Sequence, residues 1–411
     1  MLMLLKMALR NLRRNLRRTL ITMLAISGGL TLMIFQDSIQ AGSYRKLVQT
    51  GVSTMAGHVV VQADGYQADP EMERLLPDAV AVAASLEATF PEARVVQRAL
   101  VQGLLQSPRN AIGVGVSGVE PDGETTVSDW QDKLVAGEWL SGSTREILLG
   151  QAAAKSLEVE PGDKVVLLIQ GPDEVVSQLF RVKGLFRTGS AELDGAFGIA
   201  PVAALAGLLE APGAAHQVSV HLPDPRGSEA ATAAARAALD GTADLEILHW
   251  TEALPDLQAF ILRDQQSGRS MLFVIGVIVA MGVLNTVLMS VMERVRELGV
   301  MLAVGLTPAR VAGLVMLEGA VLGALSAAVG GAVGLAIVLP LNRSGLDLAA
   351  MMGGESIEVA GVAIDTVIYP TVEWPVFATF CGLAWLFTVL SSVWPALHAA
   401  RLKPVDAMRH V

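Results

Sequence analysis

The chain has 411 residues, 52% of them hydrophobic and 17% charged, with one cysteine and a formal net charge of −10 at neutral pH. That apolar content is too high for an ordinary soluble protein, and the acidic balance argues against nucleic acid as a partner. The single cysteine, Cys381, excludes a disulfide framework.

Leu2, Leu5, Leu9, Leu12 and Leu16 recur at helical spacing, with Lys6, Arg10, Arg13, Arg14, Arg17 and Arg18 between them and no acid. This predicts an amphipathic helix over residues 1–18 on the cytoplasmic membrane face, its cations near anionic lipid headgroups. Thr19–Gln36 is a charge-free run of membrane length, read as a first transmembrane helix over 19–40. Ile39-Gln40-Ala41 weakly resembles a signal cleavage site. The long basic region and long apolar run instead favour a retained membrane helix.

Residues 41–268 have mixed composition and are read as an external domain with its own core. His58–Gln62, Arg94–Gln106, Ala111–Val119, Lys164–Gln170, Phe180–Phe186, His216–Leu222 and Asp244–Trp250 read as strands. Pro77–Phe90 and Gly227–Leu239 read as helices, as does Ile147–Leu157 after a short strand. The pattern predicts an α/β core with a β-rich subdomain over about 125–195. Gly113 to Gly118 match G-x-G-x-x-G, but no helix opens directly after them. They read as a turn in a β region, not as a dinucleotide site.

Residues 251–270 look helical and lead into a second span at 269–292, whose Met271–Met292 stretch carries no charge. A third span covers 311–341, where Glu318 is the only charge, and a fourth covers 374–397. The basic tail 398–411 closes the chain. Residues 1–18, 293–310 and 398–411 together hold twelve basic residues against three acids, whereas the connection 342–373 holds one Arg and five acids. Basic segments stay in the cytoplasm. The expectation is a multi-pass protein of the bacterial inner membrane, both termini cytoplasmic, with 41–268 and the loop 342–373 in the periplasm.

Between the second and third spans lies ERVRELGVMLAVGLTPAR, residues 293–310. Glu293, Arg296, Glu297 and Val300 share a face at helical spacing. Gly305 can end the helix, and Thr307-Pro308 offers an N-cap and an N1 proline for the next. Val300–Val304 is too apolar for a solvated connector, so the helix needs a partner. Within the third span, Gly319/Gly323 and Gly330/Gly334 form two small-xxx-small pairs suited to close helix packing. Glu318 is either a functional intramembrane carboxylate or a side chain reaching for the interface.

Asn285, Thr286, Ser290, Val291, Glu293, Arg294, Glu297, Gly299, Ala303 and Gly305 resemble the signature of the MacB/LolC/LolE/FtsX superfamily of ABC transporter permeases, the mechanotransmission class. Leu317-Glu318-Gly319 and the closing Pro395-Ala396 with Ala399–Val405 extend the likeness. In the external domain, Ala136–Leu140, Ile147–Gly150 and Gly162-Asp163 match more weakly. Phe186–Gly189 with Glu192 and Asp194 is similar to the lipoprotein-releasing branch, while the loop motif is closer to MacB. The fold so implied is an α+β membrane protein: four transmembrane helices and a large extracytoplasmic α/β domain with a β-rich insertion.

The resemblance implies a coupling helix at 293–310 that docks a separate ABC ATPase through Glu293, Arg294, Arg296, Glu297, Gly299, Val300, Ala303 and Gly305. It also implies a second permease, identical or paralogous, and a periplasmic adaptor or lipoprotein substrate beside membrane lipid. The chain has no G-x-x-x-x-G-K-[ST], so it is expected to bind no cofactor itself, with ATP and Mg on the partner. No catalytic motif and no zinc-ligand spacing is present. The implied function is a permease that uses cytoplasmic ATP for periplasmic work such as lipoprotein extraction or efflux. The alternative is a non-transporting, FtsX-like transducer that controls an external cell-wall hydrolase.

Overall fold

The computed structural model describes residues 2–14, 16–76, 78–171, 174–242, 244–347, 357–359, 362–364 and 367–401. The chain divides into two compact units. One comprises residues 1–44, 262–347 and 367–411; the other comprises residues 45–261 and 348–366.

The first unit is a helical bundle. After α1 (Leu2–Arg14) come four helices long and apolar enough to cross a membrane: α2 (Leu16–Thr54), α10 (Pro255–Glu293), α12 (Pro308–Ser344) and α13 (Trp374–Ala400). Helices α2 and α10 contribute residues to both units. Without a hydrophobic force between helices in lipid, close packing needs small residues and backbone-directed hydroxyls. The two glycine pairs of α12 meet two different neighbours. A Cβ at Gly319 would stand 2.8 Å from Ser392 Cβ, and one at Gly323 3.0 Å from Thr388 Cβ, both on α13. At Gly330 it would meet Ser27 O at 2.8 Å, and at Gly334 Ile34 Cδ1 at 3.1 Å, both on α2. Ser27 Oγ donates to Ser326 O at 2.9 Å and Thr31 Oγ1 to Gly330 O at 3.0 Å along the same seam. Tyr44 Oη and Gln40 Nε2 both donate to Asp264 Oδ2, at 2.5 and 2.8 Å, tying α2 to α10.

The second unit is an α/β domain on one mixed sheet of ten strands, in the order β10-β1-β9-β2-β3-β8-β5-β7-β4, with β6 pairing β2 and β7. In chain order these are β1 (Val59–Ala63), β2 (Arg94–Gln106), β3 (Ala111–Val119), β4 (Leu134–Gly137), β5 (Glu146–Gly150), β6 (Lys164–Gln170), β7 (Val175–Phe186), β8 (Phe197–Pro201), β9 (Gln217–His221) and β10 (Leu245–His249). The 13-residue β2 is the spine: its first part pairs β9 and its last part pairs β6. One core, with Val59, Val61, Val218 and Val220, packs under α3 (Ala79–Thr89) and α8 (Ser228–Ala238). The other, with Leu105, Leu149, Leu167 and Phe180, packs under α5 (Gln151–Leu157) and α7 (Val202–Leu208).

Three local expectations are corrected. The predicted helix Ile147–Leu157 is a strand to Gly150 and a helix only from Gln151. Ile147, Leu148 and Leu149 are fully buried between β7 and β8, and strand pairing outweighs their helix propensity. The G-x-G-x-x-G run is no turn; it lies within β3. Gly118 lets α7 close on the sheet, since a Cβ there would meet Leu205 Cδ1 at 2.9 Å. Finally, the stretch 125–195 carries β4 to β7 but also α5 and α6 (Ala191–Ala196), and its strands belong to the common sheet. In the connection 342–373, Leu346–Asp347 pairs with Val367–Ile368 and Ile357–Val359 with Val362–Ile364. The tail motif 402–405, with Lys403, lies outside the described residues, as does the rest of 402–411.

Histidines scattered in sequence meet in this domain. The His58 and His221 rings lie 6.3 Å apart, and His221 is buried. Burial, then the charges of Arg98 and His58, push the His221 imidazole down to about 2; burial also lowers His58 and His216. All three therefore bind a proton less readily when folded than when unfolded, where an imidazole titrates near about 6.5. Their contribution to stability is complete above that pH and is lost as pH falls, His221 continuing to lose it down to about 2. The unfolding free energy of the full chain in detergent, read from chemical unfolding, is expected to drop between pH 7 and pH 5, by up to about 1.4 kcal/mol per pH unit for each histidine. A flat profile contradicts this assignment.

Candidate functional site

The charged segment between the second and third apolar helices is built by a break. Helix α10 ends at Glu293, Arg294 adopts φ −113° and ψ 14°, and α11 runs over Val295–Ala303. The expected single helix from Glu293 is thus split, because Arg294 turns its side chain into the bundle. At the far end Gly305, with φ +102°, supplies the left-handed residue that closes α11, and Leu306 N–H returns to Met301 O at 3.0 Å. Pro308 opens α12; Thr307 precedes it in extended backbone but makes no side-chain cap.

The eight residues expected to face an ATPase divide three ways. Arg294 and Gly299 are buried, with Val295 and Leu298, against the cluster that holds Val311, Val315 and Ala399. Glu293 and Glu297 are exposed but engaged: Arg18 Nη2 donates to Glu293 Oε1 at 2.6 Å, and Arg14 pairs with Glu297. Arg296, Val300, Ala303 and Gly305 are exposed, as is Val304, which is 81% exposed. Arg296, Val300, Ala303 and Val304 share one face at i, i+4, i+7 and i+8.

Glu318 is neither free in the bundle nor reaching out. Arg294 Nη1 donates to both of its carboxylate oxygens, at 3.2 and 3.0 Å, and Asn11 Nδ2 donates to Oε1 at 2.6 Å. Arg294 Nε also reaches Glu297 Oε2 at 3.3 Å. One continuous network therefore joins α1, Arg294, α11 and α12, and a separate pair, Arg18 with Glu293, ties the start of α2 to the end of α10. Burial raises the Glu297 carboxyl, but hydrogen bonds and charge from Arg14 and Arg294 outweigh it and hold the group below its usual range. A small cavity of about 50 Å³ adjoins the network, lined by Thr22, Thr286 and Ser290 among others. The signature residues Thr286 and Ser290 thus lie beside the ion pair.

Sequence reasoning missed Asn11, Arg14 and Arg18. The available signal was charge complementarity between an acid-free amino terminus and the carboxylates at 293, 297 and 318. Among the described residues no group of His, Cys, Asp or Glu is placed to hold a metal.

Among the described residues, four membrane-length apolar helices, a large α/β domain and a charged helix braced between the second and third of them are the architecture of a multi-pass membrane protein, and the family matches make its class that of ABC-type permeases. The family descriptions agree with the geometry: "MacB-like periplasmic core domain" matches residues 19–238, and "FtsX-like permease C-terminal" matches residues 269–404. The chain belongs to the MacB/LolC/FtsX superfamily.

Among its relatives is the lipoprotein-releasing system transmembrane protein LolC of Xylella fastidiosa, 27% identical over 98% of this chain and 97% of the relative. The LolC of Neisseria meningitidis is 24% identical at the same coverages. The macrolide export ATP-binding/permease protein MacB of Psychrobacter arcticus is 25% identical over 98% of this chain but only 59% of its own length. Among solved structures, the periplasmic region of MacB from Actinobacillus actinomycetemcomitans aligns at TM-score 0.35 and 15% identity, over 48% of this chain and 90% of that one. The extracellular domain of the noncanonic ABC-type transporter YknZ from Gram-positive bacteria aligns at TM-score 0.35, over 46% and 99%.

Proposed function

We propose that this chain is the permease subunit that couples ATP hydrolysis on a separate ATPase to work outside the membrane, and that this work is lipoprotein or lipid extraction. The observation that carries the reading is α11, a short helix anchored inward by Arg294 and presenting Arg296, Val300, Ala303 and Val304 outward. An apolar patch rimmed by one cation suits a protein partner better than water. The basic segments favour an inner-membrane protein with this face and both termini in the cytoplasm and the α/β domain in the periplasm. End-to-end alignment with relatives named for lipoprotein release favours extraction over efflux. ATP and Mg belong to the partner, and a second permease, identical or paralogous, completes the assembly.

The test is Val304→Asp. Because Val304 is 81% exposed, the variant is expected to fold and insert normally. Copurification of the ATPase is expected to fall about tenfold or more, as at an interface hot spot. Unchanged copurification and unchanged ATPase stimulation overturn the reading.

A further inference from the structure

Helix α1 has two working flanks, and the coupling network uses only one. Ala8 is fully buried, Asn11 holds Glu318, and Arg14 holds Glu297. On the other flank Lys6, Arg10 and Arg13 recur at i, i+4 and i+7, all exposed, and Arg17 is exposed in the first turn of α2. Among the described residues none of these four pairs with an acid.

Two observations identify what this flank meets. First, α1 is not a straight extension of α2. Thr19 Oγ1 donates to Leu12 O at 3.0 Å, whereas residues seven apart in one helix stand about 10 Å apart along its axis. The two helices are therefore not collinear, and α1 leaves the direction of the apolar helix. Second, the cations are flanked by exposed apolar side chains. Leu9 and Leu16 are 43% and 57% exposed, and one turn beyond Arg17 the exposed residues become Leu20, Ile21 and Leu24. Cations beside leucine at the level where an apolar helix begins match the boundary between headgroup and hydrocarbon. An acidic protein surface would complement the charges but not the leucines.

We propose that Lys6, Arg10, Arg13 and Arg17 form a binding site for anionic phospholipid headgroups, and that lipid bound there regulates α11. The lipid acts through the other flank of α1, where Asn11 and Arg14 grip Glu318 and Glu297. Anionic lipid fixes α1 on the membrane and thereby orders the segment that α1 holds. The regulatory half rests on the function proposed above; the binding site and its effect on α11 do not.

The test uses the full chain in nanodiscs of phosphatidylcholine alone or with phosphatidylglycerol, first without any ATPase. Phosphatidylglycerol retention is read by native mass spectrometry, and amide exchange is followed over Val295–Ala303. In the wild type, phosphatidylglycerol is retained and slows exchange of α11 several-fold. In the triple variant Lys6→Gln, Arg10→Gln, Arg13→Gln, retention weakens by about fivefold per charge removed, and the slowing disappears. Equal retention in both proteins overturns the site. Lost retention with α11 exchange unaffected by lipid overturns the coupling. With the ATPase added, its rate is expected to rise with phosphatidylglycerol in the wild type and to be insensitive in the triple variant. A triple variant that keeps phosphatidylglycerol but loses the ATPase reassigns this flank to the protein partner and overturns the proposal. Failure of the wild type to recruit an ATPase overturns the coupling function alone, since the ATPase-free arm still decides the lipid site.

Discussion

Glu124→Ala is expected to destabilise the α/β domain by about 3–5 kcal/mol, the usual cost of removing one partner of a buried ion pair. Arg98 and Glu124 have side chains 1% and 0% exposed, joined by two hydrogen bonds: Nη2 to Oε1 at 2.8 Å and Nε to Oε2 at 3.2 Å. Arg98 Nη2 also donates to Ser53 O at 2.6 Å. Ser53 lies in the last turn of α2, so the guanidinium satisfies a carbonyl that the helix end leaves unpaired. The pair thus fastens the end of α2 to the middle of β2 and to the short helix Pro121–Val127. Arg98 Nη1 has no partner, which leaves the guanidinium little to fall back on once the carboxylate is gone. Domains are stable by only about 5–15 kcal/mol, so the loss is a fifth or more of the total. The measurement is the unfolding midpoint of the full chain in detergent. Arg98→Met with Glu124→Leu is expected to recover most of the loss, because an apolar pair carries no uncompensated charge. A single variant as stable as the double one contradicts the account.

That pair also marks where sequence reading stops. The four apolar helices were legible because runs without charge need no knowledge of neighbours, and the glycines of α12 were legible as packing sites because their spacing is local. Their partners were not, since Ser27, Ile34, Thr388 and Ser392 come from opposite ends of the chain. Arg98 and Glu124 stand 26 residues apart, beyond any local window. The coupling segment was legible as a charged helix between spans. Its periodicity was read as unbroken from Glu293, and the resemblance counted Arg294 among the docking residues. The break at Arg294 arises from a carboxylate 24 residues later on another helix, a long-range cause that no local window contains. Ile147–Leu149 failed for the same reason, since the two strands that bury them decide their conformation.

Glu318→Leu is expected to release α11 from α12 and so to uncouple the proposed ATPase docking from periplasmic work. The Glu318 side chain is 13% exposed and that of Arg294 9%, so the pair counts as buried. Removing the carboxylate leaves Asn11 without its acceptor and Arg294 with only Glu297, whose side chain is 44% exposed. That remaining partner offsets part of the loss, which puts the cost near the lower end of the range, about 3 kcal/mol. An equilibrium shifted by that much changes by roughly a hundredfold, enough to turn a braced helix into a loosely held one. Amide exchange over Val295–Ala303 is expected to accelerate accordingly. ATPase copurification should persist, because Val300 and Val304 still face outward, whereas the stimulation of ATPase activity by substrate should fall about tenfold or more. Val304→Asp is expected to show the reverse order: the ATPase is lost first and α11 stays protected. The two variants thus separate docking from transmission. The swap Arg294→Glu with Glu318→Arg tests whether the charge pair itself is the brace, since it restores both charges in exchanged positions and should recover part of the protection. If Glu318→Leu leaves exchange of α11 unchanged, the hydrophobic contacts of Val295 and Leu298 hold the helix without it, and the ion network has no part in transmission.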